Sequence, residues 1–436
     1  MLTKSMIAEL KRRRRALMRQ MGDHSIALIP AAREKVRSRD TFYHYRQDSN
    51  FYYLSGFEEP NSLLVLVPGR KSGEYLLFCR EKDPDQEIWH GRRLGVDAAP
   101  EALGADDAFP INDVDDILPG LLEGRRHVYH TLGKDQEFDT QLLGWLQKSR
   151  ASRRRDDDPD AFISIDYLLH DMRVYKSRSE LARLRKAAKI TASGLCSAMQ
   201  SCKPGLHEYE LEACLIGEYR RQNCQHAFAP IVGGGANGCI LHYTENQSVL
   251  ADGDLVLIDT GAEYLGYAGD ISRTFPVNGE FSDAQRDIYS IVLKAQLAAI
   301  EQVCAGNHWR DPHNAAVRVI TQGLKDIGIL KGNLNSLIKK EAYRDYYMHG
   351  TGHWLGQDVH DVGETKIDGE WRLLEPNMVM TVEPGLYLGN HRRIPKRYRN
   401  IGIRIEDDVV VNDDGCEILS ADVPKSMEDI ESLMGS

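Results

Sequence analysis

The apolar run Leu255 to Ile258 is unbroken and long enough for a strand buried on both faces. It ends in a carboxylate, Asp259. A Gly/Tyr-rich turn follows, then a second carboxylate, Asp270, and a β-branched run resuming at Ile271. The pattern predicts a hairpin that sets two acids side by side at the rim of a core. Two further runs, Met378 to Val382 and Asn400 to Ile405, also lead into acids, Glu383 and Glu406. Acid-terminated strands thus occur twice, as if two related halves met around one site. Period-3.6 stripes predict helices over 177–199, 208–224, 284–304 and 312–327. Ser177 or Ser179 serves as N-cap of the first, with Glu180 in its first turn. Ala227–Val232 and Cys239–Tyr243 read as strands on either side of the glycine cluster 233–235, and Asp252-Gly253 turns the chain into the Leu255 run.

The N-terminal part has a different texture. Ser25–Ile29, Ser62–Val67 and Glu74–Cys79 read as strands. Met6, Ile7, Leu10, Leu17, Met18 and Met21 give a basic amphipathic helix that carries the run Lys11–Arg15; no apolar segment follows, so it is not a secretory signal. The aromatic-rich 41–57 fits core and interface packing. Trp89 sits exposed among cations, as a packing or subunit-contact residue would. The charge run 150–160 has no apolar period and reads as a solvated loop near a boundary. The expectation is an α+β chain of two domains: an α/β domain over 1–173 and a second domain over 174–436.

Composition narrows the class. Formal charge is −10, from 55 basic and 65 acidic residues, which argues against nucleic acid as the main partner. The eight cysteines form no CxxC pair, so reduced thiols and a cytoplasmic location are expected. No apolar run is long enough for a membrane span.

An isolated pair of acids is more often a turn cap and a solvated side chain than a site. Five candidates change the weighing: Asp259, Asp270, His353, Glu383 and Glu406 carry a formal charge of −4. Buried together, such groups require cations. Oxygen-rich sets with one imidazole suit hard or borderline ions such as Mn²⁺, and a two-metal centre activates a shared water for attack on a carbonyl or phosphoryl group. Spacing alone does not prove convergence. The loop 348–362 (MHGTGHWLGQDVHDV) adds His349, His353 and His360. A lone histidine there would be structural; three in a glycine-interrupted loop can ligate, stabilise an oxyanion or move protons. His242 can do the same. Arg404 lies two residues before Glu406, on the same strand face, where it can pair with a ligand carboxylate.

With these residues in hand, the chain resembles the bacterial aminopeptidase P (Xaa-Pro aminopeptidase) family of the pita-bread metallopeptidase superfamily. The matching stretches are IVGGGANGCILHYTEN (231–246), LVLIDTGAEYLGYAGDISRTFPVNG (255–279), MHGTGHWLGQDVHDVG (348–363), LLEPNMVMTVEPGLY (373–387) and GIRIEDDVVV (402–411), with EIWHGRRLG (87–95) in the N-terminal domain. The resemblance implies a creatinase-like α/β domain followed by a pita-bread catalytic domain with a curved, largely antiparallel sheet flanked by helices. It implies two divalent metal ions, Mn²⁺ before Co²⁺ or Zn²⁺. Asp259 resembles the chelating carboxylate of one ion, Asp270 and Glu406 the bridging pair, and His353 and Glu383 the ligands of the other. Glu383 would also be the general base. His242 and His360 resemble residues that hold the scissile bond. Phe228, Leu241, His349 and Arg404 resemble the lining of a proline pocket, with Phe228 standing where the family more usually has Tyr. A homotetramer or dimer is implied, in which Trp89 reaches a neighbouring subunit's site; ordinary packing is the alternative.

The implied reaction is release of the N-terminal residue from peptides with proline second. Its neighbour is prolidase, which shares the metal set and cleaves X-Pro dipeptides. An inactive pita-bread binding module would have lost ligands that this chain retains. A two-metal phosphoesterase would need a cationic clamp that the histidine loop does not supply.

Overall fold

A computed structural model describes residues 2–151 and 159–435. Most of the charge run 150–160 lies outside the described residues. The chain divides into two compact units, Met1–Met172 and Arg173–Ser436.

The first unit is built on a mixed six-stranded sheet, in the order Asp107–Pro110, Tyr75–Cys79, Leu63–Leu66, Ser25–Pro30, His127–Tyr129, Ala161–Ile163. Its strands Leu63–Leu66 and Tyr75–Cys79 are buried at every position because both faces are covered. The helix Lys4–Met21 buries Leu10, Leu17, Met18 and Met21. Two arginines of its basic run are buried as well. Arg13 lies 4.1 Å over the Tyr53 ring and donates to the Tyr53 carbonyl at 3.0 Å. Arg14 lies 4.0 Å over Tyr75 and donates to the Leu54 carbonyl at 2.7 Å. The run therefore splits, with Lys11, Arg12 and Arg15 in solvent. The aromatic segment splits too: Phe51, Tyr52, Tyr53 and Phe57 are buried, Phe42 and Tyr43 exposed.

The second unit sets antiparallel strands against long helices. One sheet orders Ile231–Gly234, Leu255–Thr260, Ile271–Pro276; another orders Val379–Val382, Asp407–Asn412, Gly415–Ile418. Helices Arg178–Ser201, Glu208–Arg221, Asp283–Ile300 and Asp311–Asp326 fall where the stripes place them. Ser177 is the N-cap of the first, closing a capping box with Glu180. All eight cysteines are free. No helix among the described residues is long and apolar enough to cross a membrane.

Two strand expectations fail. Residues 239–243 are not a strand: a 3-10 turn, Gly235–Cys239, runs into irregular chain. The reason is close packing, since a Cβ on Gly402 would lie 2.1 Å from the Gly238 carbonyl oxygen, so this segment crosses a neighbouring strand at glycine–glycine distance. The run 227–232 is likewise interrupted. Strands form at Gln225–His226 and Ile231–Gly234, with Pro230 between them.

Candidate metal centre

Strand register brings the acids together. Asp259 pairs across its sheet with Ser272, and Asp270 lies two residues before Ser272, on the same face. The two aspartates are thus diagonal rather than opposite. Gly261 makes room at the base of the hairpin, where a Cβ would sit 1.7 Å from the Gly269 oxygen. On the other side, Val382 pairs with Asp407 and Gly385 with Arg404. Both ladders share one register, and continuing either sets Glu383 opposite Glu406, at the break made by Pro384. The Glu406 N–H donates to the Ser272 carbonyl at 3.1 Å and joins the two halves.

The histidine loop is docked by the same device. Thr381 N–H donates to the His353 carbonyl at 3.0 Å, and Glu383 N–H to the Thr351 carbonyl at 2.8 Å. Gly352 permits this approach; a Cβ there would lie 2.1 Å from the Thr381 oxygen. His353 Nδ1 lies 2.9 Å from the Trp354 carbonyl, which fixes the proton on that nitrogen and turns the lone pair of Nε2 inward. Nε2 stands 3.3 Å from Asp270 Oδ2 and 3.9 Å from Glu383 Oε1. Asp270, His353 and Glu406 each offer a ligand atom within 4.8 Å of the others. Asp259 neighbours Asp270 closely enough to hydrogen-bond it.

Electrostatically the carboxylates outnumber the positive charge, which Arg404 supplies at Asp259. Burial, then the neighbouring carboxylates, raises Asp270 and Glu406 well above the ordinary range. Burial lifts Glu383 to about 6. Asp259 Oδ1 is buried without a hydrogen-bond partner. Acceptor atoms facing acceptor atoms, one of them orphaned, fit a cation-binding cage of hard oxygen ligands and one imidazole.

Around this cage the structure places most of the other expected residues. Arg404 Nη2 is 2.6 Å from Asp259 Oδ2, as the ion-pair expectation has it, and Nε is 2.8 Å from Ser272 Oγ. Ser272 Oγ in turn donates to Glu406 Oε2 at 2.8 Å. His349 places Nε2 at 2.8 Å from the Tyr387 hydroxyl and Nδ1 at 3.6 Å from Glu383 Oε2. Burial lowers its pKa to about 4, so the ring is neutral at neutral pH. His360 is exposed, with its ring centroid 4.3 Å from that of His353. Partial desolvation of the ring, then the neighbouring His353 and His242, lowers its pKa. His242 is exposed. Leu241 packs against a cluster of Ile231, Tyr243, Leu257 and Tyr387. Phe228 is half-buried against Gly261. Trp89 belongs to the first unit, 80% exposed on the helix Pro84–His90.

Sequence reasoning overlooked Ser272, Tyr387 and Asp408. Ser272 was legible from alternation, two residues after Asp270. Asp408, whose Oδ2 accepts the Asp270 N–H at 3.1 Å, follows Glu406 by the same interval. Tyr387, whose hydroxyl also accepts from Arg404 Nη1 at 3.1 Å, carried no signal beyond its strand position.

Known proteins resemble this chain along nearly its whole length. Residues 182–413 match the model of metallopeptidase family M24, and residues 10–129 match the aminopeptidase P N-terminal domain. The Xaa-Pro aminopeptidase of Escherichia coli K12 is 48% identical, over 98% of this chain and 97% of its own length. Xaa-Pro aminopeptidase 3 of Mus musculus is 36% identical over 94% of this chain and 81% of its own. Among solved structures, the aminopeptidase PepP of Pseudomonas aeruginosa superposes with a TM-score of 0.97 at 52% identity, covering 98% of each chain. A zinc-substituted E. coli aminopeptidase P in complex with product gives 0.96 at 47%, again over 98% of each. With an aminopeptidase P N-terminal domain, a pita-bread domain and a carboxylate–histidine cage in one chain, this protein belongs to metallopeptidase family M24.

Proposed function

We propose that the protein is an Xaa-Pro aminopeptidase that releases the N-terminal residue from peptides with proline in second position. The observation that carries this is the convergence of Asp270, His353 and Glu406, with Glu383 and Asp259 beside them. Full-length relatives named Xaa-Pro aminopeptidase support it.

Asp259 would hold one divalent ion, His353 and Glu383 a second, and Asp270 and Glu406 both. Mn²⁺ suits this donor set, with Co²⁺ or Zn²⁺ as substitutes. When bound, such ions polarise the scissile carbonyl and lower the pKa of water. The rest falls to side chains. Glu383 takes the proton of the attacking water and passes it to the proline nitrogen, a role its raised pKa suits. An X-Pro amide is tertiary and its ring fixes the backbone, so a shaped pocket can align it. Phe228, Leu241, His349 and Arg404 line that pocket, and His242 and His360 hold the bond being cut. The N-terminal domain over 1–173 serves assembly into a cytoplasmic homotetramer or dimer and brings Trp89 to a neighbour's site; residues 174–436 catalyse.

The test is release of the first residue from an X-Pro-peptide with and without added Mn²⁺. E383A should lower turnover by about 10²-fold or more, the range for a lost general base. Full turnover by chelator-stripped protein would overturn the reading. Cleavage of X-Pro dipeptides but not of longer peptides would assign prolidase instead.

A further inference from the structure

Glu208 opens the helix Glu208–Arg221, where an acid in the first turn needs no special explanation. Its side chain does not face solvent, however. The residue is fully buried and its two oxygens accept four hydrogen bonds. Oε1 takes the Gly234 N–H at 2.8 Å and Asn237 Nδ2 at 2.9 Å. Oε2 takes the Tyr243 hydroxyl at 2.8 Å and the Ser248 N–H at 2.9 Å. Four donors saturate a carboxylate, and all four come from 234–248, the irregular segment that carries Leu241 and His242. That segment has little ladder pairing of its own past Gly234. Tyr243, one of the donors, packs in the same cluster as Tyr387, whose hydroxyl contacts His349 and Arg404. Glu208 is itself absent from the metal cage and from the ion pairs around it.

We infer that Glu208 is a positioning residue for substrate: it fixes the 234–248 segment so that His242 and Leu241 stand at the proline-recognising side of the metal centre. This rests on the placement of His242 in substrate binding proposed above. A hydrogen-bonded carboxylate suits the task because neighbouring loop atoms are all donors. Glutamine would turn an NH₂ group toward two of them and leave at least the backbone N–H on that side, Gly234 or Ser248, unpaired.

The experiment is a double-mutant cycle on the metal-loaded enzyme with an X-Pro-peptide. E208Q should lower kcat/KM by about 10- to 100-fold, the scale of a loop displaced by an ångström. Affinity for Mn²⁺, read by calorimetry, should not change. In an H242A background the same substitution should cost clearly less than in the parent, because one of the two residues it positions is gone. Equal losses in both backgrounds, or a loss that tracks metal affinity, would overturn the inference. H242A alone tests the underlying assignment separately: unchanged kcat/KM there removes His242 from substrate binding whatever Glu208 does. Y243F removes one hydroxyl and keeps the test open if E208Q folds poorly; it should give a smaller loss that also shrinks with H242A.

Discussion

Glu406 and Asp407 are consecutive residues, both buried, both acidic, and they live in opposite electrostatic worlds. Glu406 faces Asp270, Glu383 and Asp259, and burial plus these carboxylates drives its pKa well up. Asp407, turned to the other face of the chain, sits in a cage of donors. Arg273 Nη2 and Ser420 Oγ reach its Oδ1 at 2.7 Å each; Lys425 Nζ reaches Oδ2 at 2.6 Å and Gln296 Nε2 at 2.7 Å. Burial alone would raise Asp407, but Arg273 and Lys425 override it and hold the carboxyl well below its usual range. Burial of an acid therefore says little by itself. What separates a site from a scaffold is whether the protein supplies the opposite charge. The second cage also serves the first, since Arg273 donates to the backbone carbonyls of Ser272 and Glu406.

The sharpest test of this contrast exchanges charge for amide on each neighbour. E406Q should cut turnover and Mn²⁺ affinity by more than the hundredfold typical of a ligand's supporting partners, while metal-free protein stays at least as stable as the parent, because repulsion is relieved. D407N should do the reverse. Losing the charge leaves the buried Arg273 guanidinium without its counter-charge, at a cost of about 3–5 kcal/mol in denaturant unfolding. Comparable destabilisation by both substitutions would erase the distinction.

A second break point is pH. Glu383 titrates near 6 when folded, above the ordinary carboxylate value near 4.5. The folded chain thus binds the extra proton, so this group's stabilisation is full at low pH and lost as pH rises through about 6. Relative to E383Q, the metal-free protein should lose about 2 kcal/mol between pH 4 and 7. Asp407 has the opposite sign: its contribution is present above the usual carboxylate range and lost as pH falls. Metal should abolish the Glu383 difference, since the ion then holds the carboxylate charged. Urea midpoints across that range, with and without Mn²⁺, check both signs.

Much of this was readable beforehand because apolar runs ending in acids are costly unless something compensates them. Asp259, Glu383 and Glu406 announced themselves by ending such runs and Asp270 by opening one, and the helices did so by period and caps. Asp407 did not, although it adjoins Glu406, because its partners Arg273, Gln296, Ser420 and Lys425 are scattered in sequence and each is ordinary alone. Glu208 was hidden by a position where an acid is already expected. The 239–243 misassignment has a related cause: its apolar alternation is real, but glycine-to-glycine contact with Gly402 decides the backbone there, and that contact is made between distant segments. Arg13 and Arg14 carried no signal beyond membership of a basic run, because their aromatic partners are remote in sequence. Local pattern discloses what a segment needs, whereas the distant side chains that meet the need emerge only on folding.

The smallest effect expected is also the most discriminating about whether the two cages act as one. Lys425 is 22% exposed, and among the described residues Nζ contacts the scaffold acid and Gln296 Oε1, the latter at 3.2 Å. K425M leaves Asp407 with Arg273, Ser420 and Gln296, so the loss should be about 1 kcal/mol, near the value of a partly exposed pair. Asp407 should then protonate more readily, and the acid limb of the stability profile should move to higher pH. Turnover and Mn²⁺ affinity should not move, because Arg273 still grips the Glu406 carbonyl. A tenfold fall in metal affinity would mean that charge in the scaffold is felt directly at the ligands, and that Glu406 and Asp407 belong to one electrostatic unit after all.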